Sequence, residues 1–200
     1  MNFIGLSMRV DVFKDREETR DAIDQRLISF LSLCDLIPVL LPNDLPTVKH
    51  LVRQLPLRGV IFSGGNTLPI IDASDGVERY KVETWVFRWF VEKKLPIFGI
   101  CHGMQIIQDI YGVTLKSIEG HVGCFHMIKS VWGDQWVNSY HNYGTQKTSP
   151  DLRVLARSED QVVEAISDDK KKILAIMWHP ERETPFQKRD IKIVKEHFSV

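Results

Sequence analysis

In the first half of the chain, apolar residues gather into short unbroken runs rather than alternating with polar ones. Residues 3–10, 37–41, 59–62 and 96–100 each read as a strand with few polar positions on either face. Between the runs, apolar residues recur at helical spacing. Ala22, Ile23, Leu27, Phe30, Leu31 and Cys34 predict a helix over 19–34, and a short helix follows at 46–55. Val82, Trp85, Val86, Trp89 and Phe90 predict another over 80–94. A further helix starts near His102, directly after the 96–100 run. Strands without alternation, separated by helices, describe a parallel sheet covered on both faces.

The pattern changes after about residue 112. Short β-rich segments at 113–118, 125–131, 135–139, 154–156, 162–167 and 173–177 then dominate. Turn signals such as Trp132-Gly133-Asp134 and Ser167-Asp168-Asp169 separate them, and a helix over 186–198 closes the chain. No repeat, low-complexity tract or linker interrupts the sequence. The expectation is one α/β domain over 1–200, a mostly parallel central sheet flanked by helices, with a small antiparallel β extension.

Composition narrows the function classes. At 44% hydrophobic residues the chain can build a core without disulfides or a structural metal. Its 26 basic and 26 acidic residues cancel, which argues against nucleic acid or an acidic membrane as a general partner. No apolar run approaches the length of a bilayer crossing. Three cysteines, an odd number, and a start without a basic, signal-like segment predict a reducing, cytoplasmic setting.

Candidate chemistry centres on Gly99-Ile100-Cys101-His102-Gly103, a Gly-x-nucleophile-x-Gly pattern where an apolar strand meets a helix. Small flanking residues permit the tight turn of a nucleophile elbow, and N–H groups at the helix start favour a thiolate. The His102 N–H would then face the oxyanion of an attacked carbonyl. Cys34, on an apolar helix face, reads as core, and Cys124 has no activating neighbour. A thiolate also needs a base, and His179, followed by Pro180 and Glu181, sits at the end of the 173–177 strand. Glu181 can orient that imidazole. His121, Cys124 and His126 lie close in sequence but lack a second paired ligand set, so no metal is expected there.

Gly99-Ile100-Cys101-His102-Gly103-Met104-Gln105 and His179-Pro180-Glu181, about eighty residues apart, resemble the class I glutamine amidotransferase-like superfamily. The resemblance implies a flavodoxin-like α/β fold and a Cys101–His179–Glu181 triad. It implies further that Ser63-Gly64-Gly65 is the glycine loop whose Gly65 gives a second oxyanion N–H beside His102. Gly64, Gln105 and the Val137-Asn138-Ser139-Tyr140-His141-Asn142 segment would hold a γ-glutamyl group, with Ser139, Tyr140, His141 and Asn142 along it. Chain length and these motifs are similar to the γ-glutamyl hydrolase branch, and in particular to small bacterial hydrolases of γ-glutamyl-CDP-amidate. That likeness implies a small γ-glutamyl substrate, nucleotide-linked in the latter case, and no cofactor. Members more often carry Arg where His102 stands. An amidotransferase subunit passing ammonia to a separate synthase, a γ-glutamyl-polyamine or aminobutyrate hydrolase, and a non-catalytic binding module are the competing expectations.

Overall fold

The computed structural model describes residues 1–200. In chain order the elements begin with β1 (Phe3–Ser7), β2 (Arg9–Phe13), β3 (Glu18–Ala22), α1 (Gln25–Leu33), β4 (Ile37–Leu41) and α2 (Leu45–Gln54). Next come β5 (Val60–Phe62), α3 (Val77–Glu92), β6 (Ile97–Ile100) and α4 (His102–Ile110). The remainder is β7 (Lys116–Ser117), β8 (Val122–Ser130), β9 (Gln135–Tyr140), β10 (Tyr143–Gly144), β11 (Arg153–Ser158), β12 (Val163–Asp168), β13 (Ile173–Ile176) and α5 (Lys188–Phe198).

Nine strands form one sheet in the order β4-β1-β5-β6-β13-β12-β11-β8-β9. The first five pair in parallel. From β13 onward the pairing is antiparallel, so the antiparallel strands continue the same sheet. Two small antiparallel pairs, β2–β3 and β7–β10, lie outside it. On one face α1 and α5 bury Leu27, Phe30, Leu31, Ile193, Val194 and Phe198. On the other, α2, α3 and α4 bury Val48, Val52, Val82, Val86, Phe90, Met104 and Ile107. Each such side chain contributes about 1.5–3 kcal/mol by leaving water.

Three expected boundaries are corrected. The 3–10 run breaks at Met8 into β1 and β2, because β2 turns out of the main sheet to pair with β3. Residues 18–22 are therefore strand, not the start of the 19–34 helix. That helix begins at Gln25, after Asp24 caps it by accepting from the Arg26 N–H at 2.9 Å. The apolar pair Ala22-Ile23 suggested a longer helix than the cap allows. Of residues 113–118, only β7 pairs. Cys34 is fully buried in the core, and burial pushes its thiol up to about 12, which keeps it inert.

Adjacent strands β5, β6 and β13 each end at the same edge of the sheet, and each is followed by one of the candidate segments. Strands lie about 4.8 Å apart, so residues 63–65, 101–103 and 178–181 are brought side by side by sheet order alone.

Candidate active site

At the end of β6 the backbone of Cys101 takes φ 51° and ψ −101°, a conformation costly for a residue with a side chain. Its surroundings hold it there. The Cys101 N–H donates to the Ile176 carbonyl of β13 at 2.8 Å, and its own carbonyl accepts from Met104 and Gln105 at 2.9 and 3.0 Å. The flanking glycines permit close approach. A Cβ on Gly99 would stand 2.7 Å from the Gly103 carbonyl, and one on Gly103 would stand 2.2 Å from the Phe62 oxygen. Cys101 thus becomes the residue before α4, where orphan N–H groups favour negative charge.

His179 follows β13 and is fixed from several sides. Its N–H donates to Asn138 Oδ1 at 2.9 Å, and its carbonyl accepts from Asn138 Nδ2 at 2.8 Å. In the ring, Nδ1 lies 2.6 Å from Glu181 Oε1, and the ring shares the lining of one cleft with Cys101. Gly64 backs the imidazole closely: a Cβ there would meet Cε1 at 2.6 Å, so any side chain would displace the ring. His179 and Glu181 are both buried. Burial opposes a charge on the imidazole, but the Cys101 thiolate and then Glu181 outweigh it and carry His179 up to about 9. The arrangement can hold a thiolate–imidazolium pair with a carboxylate fixing the tautomer.

A cleft of about 810 Å³ opens over these groups, a size suited to a small molecule. Cys101, His179, Gly65, Gln105, Tyr140, His141 and Asn142 all line it. Gly64 and Glu181 line the neighbouring hollow beside His179. Gln105 donates from Nε2 to the Tyr143 carbonyl at 3.0 Å. Three predicted residues turn their side chains elsewhere, and His141 among them is buried with Nε2 3.5 Å from Glu164 Oε1. Ser139 is fully buried, and its Oγ donates to the His121 carbonyl at 2.6 Å. The His102 ring runs beneath the glycine loop, with Nε2 2.9 Å from Glu83 Oε2 and Nδ1 3.1 Å from the Asn66 carbonyl.

That buried layer was not anticipated from sequence. Arg79, wholly buried, donates to the carbonyls of Ser63, Gly64 and Gly65 at 2.6, 3.0 and 2.8 Å, and to Glu83 at 2.9 Å. Ser7 Oγ donates to Glu83 at 2.6 Å. Burial works against the Glu83 charge, but Arg79 and His102 hold its carboxyl at about 2. One guanidinium therefore sets the glycine loop, and Glu83 ties that loop to the elbow through His102. A charged pair four residues apart on an amphipathic helix was the only available signal. Arg182 also lines the cleft, where its guanidinium lies 4.4 Å from the Tyr140 ring centre. It makes no ion pair, and its buried Nε has no partner.

The family model for Glutamine amidotransferase class-I matches residues 18–196. The chain belongs to that family. It is 32% identical over 166 residues to a γ-glutamyl-CDP-amidate hydrolase of Campylobacter jejuni, covering 82% of this chain and 78% of the relative. It is 28% identical over 184 residues to a γ-glutamyl-γ-aminobutyrate hydrolase of Escherichia coli, covering 72% of each. Among solved structures, a Thermoplasma acidophilum protein assigned to GMP synthase superimposes with a TM-score of 0.73 at 19% identity. That superposition covers 100% of this chain and 94% of the other, a likeness of fold. No helix of the structure is long and apolar enough to cross a membrane.

Proposed function

We propose that this protein hydrolyses a γ-glutamyl amide through a glutamyl thioester on Cys101. The observation that carries the reading is the strained Cys101 at the start of α4 lining one cleft with His179, whose ring Glu181 holds at 2.6 Å. The Cys101 sulfur attacks the γ-carbonyl carbon and forms a C–S bond. The resulting oxyanion lies between the N–H groups of Gly65 and His102. Arg79 draws the Gly64 carbonyl toward itself, and in a trans peptide the Gly65 N–H then points the opposite way. As the C–N bond breaks, His179 gives its Nε2 proton to the departing nitrogen, since Nδ1 is engaged by Glu181. Water then yields a proton to His179, attacks the thioester, and releases glutamate with the thiol restored.

The proton given to the leaving group sets a pH dependence. The folded value for His179, about 9, lies above the ordinary 6.5. The stabilising ion pair is thus fully present below 6.5 and lost as pH rises through 9. The rate constant kcat/KM should fall on an alkaline limb near pH 9, and Glu181→Gln should move that limb to lower pH with activity retained. A pH–rate profile in which the limb is absent, or stays in place in the variant, contradicts the role given to His179.

For the leaving group we favour a phosphoramidate linked to a nucleoside diphosphate. The 32% likeness to a γ-glutamyl-CDP-amidate hydrolase supports this, as does Arg182, which lines the cleft beside the Tyr140 ring without a direct ion pair and suits a phosphate. Glutamate release is to be compared for γ-glutamyl-CDP-amidate, γ-glutamyl-aminobutyrate and glutamine. The first should exceed the others in kcat/KM by at least about tenfold. A preference for aminobutyrate would move the protein to the other hydrolase group. A preference for glutamine, strengthened by a synthase partner, would make it an ammonia-supplying amidotransferase.

A further inference from the structure

Behind the cleft wall, four side chains from separate segments turn toward one another. His121 precedes β8, His126 lies within it, His141 follows β9, and Glu164 belongs to β12. Nδ1 of His121 stands 3.3 Å from Nε2 of His141 and 3.3 Å from Oε1 of Glu164. The third side of that triangle, His141 Nε2 to Glu164 Oε1, is 3.5 Å. Nε2 of His126 approaches the same carboxylate oxygen at 3.7 Å. Glu164 is 1% exposed, and neither of its oxygens has a hydrogen-bond donor; His126 Nε2 is likewise unpartnered.

Outer contacts fix which nitrogens face inward. His121 Nε2 lies 3.1 Å from the Asp160 carboxylate, which only accepts, so this nitrogen carries the hydrogen and Nδ1 presents a lone pair. His141 Nδ1 lies 3.2 Å from the Tyr143 carbonyl, which by the same logic leaves Nε2 with a lone pair. Two lone pairs and a carboxylate oxygen therefore converge in a buried place. With both rings neutral, a single proton shared by the two imidazoles serves one pair and leaves both Glu164 oxygens unsatisfied, a costly state for a buried charge.

A divalent ion satisfies all of them. Tetrahedral zinc, bonded at about 2.0–2.1 Å, separates its ligand atoms by about 3.3–3.4 Å, close to each side of the observed triangle. The geometry points to a zinc site made by His121 Nδ1, His141 Nε2 and Glu164 Oε1. Two imidazoles and one carboxylate suit a first-row d-block ion and not magnesium or calcium, which require oxygen ligands. Asp160 and the Tyr143 carbonyl supply the supporting contacts that such histidines need. Cys124 takes no part, since its sulfur contacts the Gly120 carbonyl at 3.0 Å. The ion would pin the segment carrying Tyr140, His141 and Asn142 to β12.

The test is direct metal binding by full-length protein carrying Cys101→Ala, which removes the competing cleft thiol, after stripping with chelator. Zn²⁺ should bind at one equivalent and raise Tm, reversibly with chelator. Co²⁺ should give the intense visible bands of a tetrahedral nitrogen–oxygen site. Asp160→Asn, on a partly exposed loop, should weaken Zn²⁺ by about 10- to 100-fold, and Glu164→Gln should abolish the equivalent. Absence of saturable binding would overturn the site. So would a thiolate-to-cobalt charge-transfer band, or undiminished affinity in both variants.

Discussion

Replacing Cys101 with alanine is expected to lower kcat on a γ-glutamyl amide by about 10⁴-fold or more, with folding retained. The size follows from covalent catalysis: without the sulfur there is no thioester, and the remaining groups assist only direct attack by water. Cys101 lines the cleft but is largely buried, and removing its single sulfur leaves only a small void. Its strained backbone is imposed by Gly99, Gly103 and the Ile176 carbonyl rather than by the thiol. The measurement is steady-state and single-turnover release of glutamate, together with a mass-spectrometric search for the glutamyl-enzyme. Turnover in the alanine variant within tenfold of the parent would remove the thioester mechanism. Glu181→Ala should cost less, because Glu181 orients a ring that Gly64 and the Asn138-bound backbone still hold.

The second large effect concerns the buried pair beneath the glycine loop. Glu83→Gln keeps shape but leaves the guanidinium of Arg79 without its carboxylate, in a place where neither side chain is exposed. Removing one partner of a buried ion pair typically costs about 3–5 kcal/mol. For a domain of this size that is a sizeable share of total stability. The expected result is a marked drop in the denaturant midpoint at unchanged slope. Activity at temperatures where the variant stays folded should fall as well, because Arg79 holds the carbonyls of residues 63–65. An unfolding free energy within about 1 kcal/mol of the parent would mean that the pair is compensated elsewhere.

Parts of this design were legible in the chain and parts were not, for physical reasons. The parallel strands were readable because burial on both faces forces unbroken apolar runs, and the elbow because close backbone approach admits only glycine at 99 and 103. His179 and Glu181 were readable because proline and a strand end mark their turn. The structure places Cys101 and His179 on one cleft, with Glu181 2.6 Å from the His179 ring. Arg79 and Glu83 were opaque: an i,i+4 ion pair looks the same whether water or protein surrounds it. The His121–Glu164 group was opaque for another reason. Sequence proximity offered His121, Cys124 and His126, whereas His141 and Glu164 reach the group only through strand order. Asn138 was seen as part of a substrate-binding segment, but its amide grips the backbone of His179, a contact 41 residues away along the chain.

The placement of β13 has a consequence for biosynthesis. This strand comes last in the sequence of strands yet inserts between β6 and β12. Until it emerges from the ribosome, the two halves of the sheet have no seam, and the reactive sulfur has no imidazole beside it. Pairings so distant along the chain close slowly. A nascent or truncated polypeptide ending before residue 179 would therefore carry Cys101 without His179, and the proposed thioester chemistry would await the complete fold.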